Sequence, residues 1–256
     1  MPVTADLDSG ELELTGRIST ASNATFLGAI DGTEVVYKPI AGEAPLWDFP
    51  GNDLANREVA AYLVSEALGW DIVPRTWLRD GPLGPGMVQL WCEPDAAQDA
   101  VDLVPADQVP DAGWRFVFDG TDEDDRPVAL IHEDTSPLRR MAVFDVIVNN
   151  ADRKGAHILE MAGGHRHGVD HGLTFHVEHK LRTVLWGWVG EPLTPEELAG
   201  VESVLTQLGG SLGASLSALV SDLELAAFAG RCDRLLTDGR FPEPRGDMPA
   251  VPWPLF

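Results

Sequence analysis

Asp152, His157 and Asp170 fall within a single stretch, V-N-N-A-D-R-K-G-A-H-I-L-E-M-A-G-G-H-R-H-G-V-D-H-G, and Lys154 follows the first acid by two positions. In phosphoryl transfer an aspartate accepts the proton of the attacking hydroxyl, a nearby lysine neutralises charge on the transferred group, and a carboxylate with a neutral partner holds the metal. Gly163-Gly164 reads as a two-residue hairpin turn. Counting outward from it pairs Ala162 with His165, Ile158 with Val169 and His157 with Asp170. Directly opposed residues in such a ladder have Cβ atoms roughly 4.5–5.5 Å apart. Two acids and a histidine should therefore converge at the open end of the hairpin, with Asp152 and Lys154 as the catalytic pair and Asp170 and His157 as metal ligands. Imidazole is a poor ligand for Mg²⁺, so His157 points to tolerance of Mn²⁺ or to one metal held mainly by Asp170. Gly172 would let the chain turn abruptly out of the strand.

The chain has only three lysines, Lys38, Lys154 and Lys180. Lys38 lies in V-V-Y-K-P, where strand alternation puts it on the face of Val36. A lysine facing inward needs an anion, and Glu58 in a largely apolar helix needs a cation, because an unpaired buried carboxylate costs several kcal/mol. Pairing the two answers both needs, and a strand lysine held by a helix glutamate is how kinases grip the α- and β-phosphates of ATP. An ordinary structural salt bridge is the alternative. The polar loop ahead of Lys38 has no glycine-rich pattern, but Ser19, Ser22 and Asn23, with Thr20 and Thr25, could donate to phosphate oxygens.

The elements that must position these groups can be read coarsely. Strands are expected at 11–18, 26–30 and 34–38, and a helix capped by Asn52 or Asp53 that ends at Gly69. A strand at 86–91 leads away from this first lobe, so backbone near Gln89 to Trp91 is where an adenine ring would be met. Residues 93–127 lack periodicity and contain D-G-T-D-E-D-D, which suggests a solvated, loop-rich insertion. Ser136-Pro137 should cap a helix that runs to Val148 and is apolar on nearly every face. Thr194-Pro195-Glu196-Glu197 forms a capping box, and Ser221-Asp222 opens a last helix ending near Gly239.

A net charge of -23 argues against nucleic acid as a partner and weighs against stable docking on anionic membranes. No signal peptide or membrane-length apolar run is visible, and two isolated cysteines suit a reducing cytoplasm. Five histidines at 165, 167, 171, 176 and 179 raise the competing possibility of a zinc or iron site with Asp170. His165 and His167 beside a polar hairpin tip are expected to be solvent-exposed instead. His176, His179, Lys180 and Arg182 could form a basic funnel that selects a small anionic acceptor, or they could pair with surrounding carboxylates. A protein acceptor docking on the acidic 119–125 stretch is the other partner to consider.

Y-K-P, N-R-E-V-A-A-Y-L-V-S-E-A-L-G-W-D-I-V-P-R-T, N-N-A-D-R-K-G-A-H and G-V-D-H-G-L-T-F occur in that order. Together they resemble the atypical kinases of the phosphatidylinositol 3-/4-kinase type. The chain is more closely similar to an actinobacterial family of phosphatidylinositol 3-/4-kinase-like proteins, with P-L-W-D-F-P, K-L-R-T-V-L-W-G-W and the closing P-W-P-L included. The resemblance implies an α+β, two-lobed protein-kinase-like fold: a strand-rich N-lobe over residues 1–90, a hinge and acidic insertion over 91–127, and a mainly helical C-lobe over 128–256. It also implies ATP with Mg²⁺ or Mn²⁺, Lys38 and Glu58 as the phosphate-binding pair, Asp152 as the base and Asp170 as the metal aspartate. His157 departs from the usual asparagine, which leaves room for a nucleotide-binding pseudokinase or a nucleotidyltransferase beside a kinase acting on a small polyol or anionic metabolite.

Overall fold

The computed structural model describes residues 6–18, 23–44, 46–49, 51, 53–246 and 248–256. Its first half is built on a five-stranded antiparallel sheet in the order β1-β2-β3-β5-β4. The strands are β1 (Leu12–Arg17), β2 (Phe26–Ile30), β3 (Thr33–Pro39), β4 (Thr76–Gly81) and β5 (Gly84–Leu90). The first three and β5 sit where hydrophobic alternation places them, whereas β4 was not anticipated. Alternation sorts the two faces. Val35 and Tyr37 of β3 and Val88 of β5 point into a small core with Leu12 and Ile30. Val36 and Lys38 face the other way, across from Gln89 and Met87, their register partners.

That second face rests on α1 (Leu54–Leu68), where Ala55 and Val59 pack against Met87. Its sequence is rich in Ala, Leu and Glu, good helix formers, and Gly69 closes it in the left-handed conformation at φ 69°. Asp53 occupies the cap position but makes no capping bond. The free amides of Leu54 and Ala55 are taken instead by the carboxylate of Glu43, eleven residues upstream of Leu54. The helix is buried on several faces, and Ala60, Ala61, Val64 and Leu68 belong to the main core with the C-terminal helices. The strand-rich and helical parts thus both pack against α1.

Residues 93–127, expected to be loop-rich, correct that reading. They contribute β6 (Val101–Pro105) and β7 (Trp114–Thr121), which pair on either side of β8 (Pro127–Glu133) in a three-stranded antiparallel sheet. The many Asp and Pro residues hid the strands because this part of the sheet is largely open to water: in β6, Asp102, Leu103 and Pro105 are exposed, on both faces of the strand. The acidic 119–125 stretch covers the end of β7 and the turn into β8, where Asp122 accepts from the amides of Asp124 and Arg126 and pairs with the Arg126 guanidinium.

The helical part comprises α2 (Ser136–Val148), α3 (Pro195–Leu208), α4 (Ser211–Ser217) and α5 (Asp222–Asp238). The capping boxes at Thr194 and Ser221 form as expected. For α2 the cap is Thr135 and Ser136 is already helical, a shift of one residue. The short α4 carries no strong sequence signal. No described helix is long and apolar enough to cross a membrane. The result is an α+β protein with a strand-rich N-terminal sheet and a helical C-terminal region.

His132 joins the insertion sheet to the helical part. It is fully buried on β8, its Nδ1 donates to the Glu133 carbonyl, and its Nε2 accepts from the amide of Gly187. A Cβ at Gly187 would lie 2.5 Å from that nitrogen, so only glycine permits the approach. Both ring nitrogens are satisfied by the neutral tautomer alone, and burial pushes the imidazole pKa down to about 4. The unfolded chain takes up this proton near pH 6.5 and the folded one only near pH 4, so stability falls as pH drops through that window. Between pH 7 and pH 5 this group should remove about 2 kcal/mol of stability, on the order of 1.4 kcal/mol per pKa unit. Urea unfolding at the two pH values should show the loss, and the His132→Gln variant should show a correspondingly smaller one.

Candidate active site

Lys38 projects from the middle of the sheet toward α1 and meets two acids. Its Nζ lies 2.7 Å from Glu58 Oε1 and 2.8 Å from Asp170 Oδ1. Glu58 is almost wholly buried, and its second oxygen accepts the amide of His171 at 2.8 Å. Burial works against the Lys38 ammonium, yet Asp170 and Glu58 outweigh it and hold the pKa above the ordinary lysine value. In return the Lys38 ammonium holds the Asp170 carboxyl far below the usual carboxylate range. Asp170 stays about half exposed at 51 %, so it is free to take a further ligand.

Asp152, Lys154 and His157 follow α2. The C-terminal turn is made by Asn149 at φ 57°, whose side chain donates to the carbonyls of His176 and Glu178 and accepts from the amide of Lys180. Asn150 holds the next residues, accepting from the Asp152 amide and donating to Asp145. Both asparagines are thus structural. Arg153 is fully buried and clamps Asp145 through Nε and Nη2, while Nη1 reaches the carbonyls of His157 and Val169. Gly168 lies so close that a Cβ would meet the guanidinium at 2.9 Å. The residue after Lys154, Gly155, donates to the carbonyl of Leu255, so the tail braces this loop from outside.

Lys154 Nζ is 3.2 Å from Asp152 Oδ2. Burial raises the Asp152 carboxyl above its ordinary value, opposed by Lys154 and His157. Burial lowers the His157 imidazole, opposed by Asp170. His157 Nδ1 lies 2.8 Å from the Asp152 carbonyl and must be the protonated nitrogen. Its Nε2 lone pair then faces Asp170 Oδ2 at 3.5 Å. Two electron-pair donors facing each other at that distance repel unless a cation sits between them. This donor set, one carboxylate oxygen and one neutral imidazole, suits a single divalent metal ion, Mn²⁺ better than Mg²⁺.

The meeting of His157 and Asp170 does not arise by the predicted ladder. The strands β9 (Ile158–Glu160) and β10 (Arg166–Gly168) pair Glu160 with Arg166 and Ile158 with Gly168, one residue out of the expected register. The turn holds three residues, Ala162–Gly164, because Gly163 and Gly164 both take positive φ within a 3-10 turn. A one-residue slip alone would send Asp170 to the wrong face. The strand ends at Gly168, however, and Asp170 itself adopts φ 61°, which breaks the alternation. The abrupt turn thus falls on Asp170 rather than on Gly172.

Two cavities meet at Lys38 and Asp170. The larger, about 430 Å³, runs between the sheet (Ile18, Val36, Gln89) and the hairpin (Leu159, Val169), and Trp91 to Pro94 close its end. The smaller, about 160 Å³, lies on the α1 side and includes Asp152, Glu43, Leu54 and Leu173. Asn23 borders both, but its side-chain oxygen is engaged by the amide of Ala44. Ser19 and Ser22, with Thr20, lie outside the described residues. Gln89 lines the larger cavity with its amide tied to Thr76. The amides of Leu90 and Trp91 are already bonded to the carbonyls of Arg75 and Glu34, so they cannot meet a ligand as expected.

The remaining histidines divide. His171 is buried, accepts from Arg153 at Nε2, and stays neutral because burial pulls its pKa well down. His165 and His167 are half-buried rather than exposed, and they cluster with Asp71 within 4.8 Å. His165 Nε2 lies 2.8 Å from the Asp71 carbonyl, so that nitrogen carries the proton and the ring's lone pair is at Nδ1. The expected basic funnel is closed, since Lys180 is buried against Asp48 and Glu178 and the His176 ring stands edge-on to Phe49.

Asp145 was missed by the sequence reading. A lone acid in an otherwise apolar helix was the available signal, because a buried carboxylate demands a cation.

No family model matches the chain. It is 48% identical over 265 residues to Protein Rv2133c of Mycobacterium tuberculosis (strain ATCC 25618 / H37Rv), an alignment covering 98% of this chain and 95% of that protein. The chain belongs to the family of that mycobacterial protein. Among solved structures it is similar to the Helicobacter pylori proinflammatory kinase CtkA, at a TM-score of 0.47 and 10% identity over 93% of this chain and 95% of that one.

Removing one member of the Asp145–Arg153 pair strands a buried charge. Asp145→Ala should therefore destabilise the protein by about 3–5 kcal/mol, read as a shift in the urea midpoint at unchanged slope.

Proposed function

We propose that the protein is an ATP-dependent phosphotransferase whose acceptor is a small hydroxyl-bearing metabolite. The observation that carries this reading is Lys38, held between Glu58 and Asp170 where the two cavities join. A triphosphate in the larger cavity would lay its phosphates toward Lys38, which supplies a fixed ammonium for their oxygens. The adenine edge would be read by backbone from Cys92 onward, the first residues past the bonded amides of Leu90 and Trp91.

Asp170 and His157 would hold the divalent metal, which when bound neutralises phosphate charge. Asp152 borders the smaller cavity, where the acceptor would sit, and its carboxylate can take the proton of an attacking hydroxyl. Burial keeps that carboxyl more basic than usual, which favours proton uptake. Lys154 beside it restrains this rise and offers positive charge to the group in transfer. The smaller cavity is lined by Glu43, Glu58, Asp152 and Asp170 against Lys38 alone, so a neutral polyol suits it better than an anion.

Thermal unfolding with ATP and Mg²⁺ or Mn²⁺ is the first test, since saturation at 100 times Kd adds about 2.7 kcal/mol. Asp152→Asn should keep that shift yet lower turnover with a polyol acceptor by about 10²–10⁴-fold. Asp170→Asn should lose the metal-dependent part of the shift, and Lys38→Ala most of it. No shift in wild type would remove the nucleotide reading, and a shift without turnover on polyols, sugars or peptides would leave a nucleotide-binding protein without transferase activity.

A further inference from the structure

A third cavity, about 170 Å³, lies on the helical part and shares no lining residue with the two at Lys38. It is walled by α5 and the segment beyond it, with Val146 of α2 and His179. Arg231, Arg234, Arg240 and Arg245 all line it, four of the chain's 18 basic side chains around one small hollow in a protein of net charge -23. Asp238 and Glu243 are the acids in the same wall, yet among the described residues none of these arginines forms an ion pair. Arg234 precedes Asp238 by one helical turn without closing on it. Four guanidiniums facing two carboxylates leave the hollow net positive in a chain whose carboxylates outnumber basic residues 41 to 18, a field that draws an external anion.

Arg231 anchors the cluster. It is 8% exposed, and its Nε and Nη1 donate to the carbonyls of Ile147 and His176, while Nη2 is buried with no partner. Burial pulls its pKa down to about 10, with the Arg234 charge acting in the same direction. Arg234 and Arg245 are exposed at the rim. Their side chains are free to close on a ligand.

We propose that this arginine pocket binds the phosphate group of a small anionic metabolite, at a site separate from the cleft around Lys38. Guanidinium forks match phosphate oxygens in pairs, and the volume admits a phosphate with a few attached atoms.

Isothermal titration of the full-length protein with inorganic phosphate and with pyrophosphate, at fixed ionic strength, tests the site. Wild type should bind at least one of them. Arg234→Ala with Arg245→Ala removes two rim charges without disturbing the core and should weaken binding by about tenfold or more, since hydrogen bonds to charged groups are the strong ones. Lys38→Ala should leave it unchanged, which separates this pocket from the cleft. No binding of either probe to wild type, equal binding by the rim double variant, or loss in Lys38→Ala would each overturn the proposal. Tighter binding of a phosphoserine peptide than of either free probe would overturn its small-molecule part.

Discussion

A buried carboxylate on α1 sets most of this architecture. Glu58 cannot stay ionised in the core without partners, and it finds two from distant parts of the chain, the Lys38 ammonium on β3 and the His171 amide just beyond Asp170. Each oxygen of one side chain therefore fixes a different half of the cleft. Because α1 also shares the main core with the C-terminal helices, the sheet, the helix and the segment after Asp170 hold one mutual position. The ion pair that looks like a local feature of the sheet thus also ties it to the segment after Asp170.

The second fixed point lies under the loop. Arg153 and Asp145 are both fully buried, and the arginine has enough donors to serve the carboxylate, two carbonyls of the hairpin and His171 together. One guanidinium thereby orients the residues that flank Asp152, His157 and Asp170. His157 and Asp152 are further coupled, since the imidazole donates to the aspartate's own carbonyl. The geometry of the site is dictated by groups that do not enter it.

Sequence reading recovered those parts that rest on local rules. Lys38 and Glu58 were paired because each was an isolated charge on an apolar face, and the capping boxes at Thr194 and Ser221 were plain from residue type. The hairpin register failed by one, because two adjacent glycines admit a three-residue 3-10 turn as readily as a two-residue one. The outcome at Asp170 survived only because its positive φ, invisible in sequence, compensated. The insertion strands were lost because solvent-facing Asp and Pro residues dilute the alternation of β6 and β7. For Lys180 the structure takes the alternative of pairing with carboxylates, and while Glu178 is a near neighbour, Asp48 is 132 positions away, beyond any pattern a sequence displays.

Charge balance ties the site to the reading proposed for it. Around Lys38 stand Glu43, Glu58, Asp152 and Asp170, with Lys154 as the other ammonium close by among the described residues. Acids exceed cations there, so this field would repel bare phosphates rather than draw them in. Asp170 and the His157 lone pair face each other across the same gap, with the aspartate half open to solvent. A divalent cation entering with a nucleotide would reverse the local sign there. Excess negative charge at the cleft is thus not an obstacle to phosphoryl transfer. On the proposed reading it would make phosphate binding favour the presence of metal, and it would suit the smaller cavity to neutral hydroxyl compounds better than to anions.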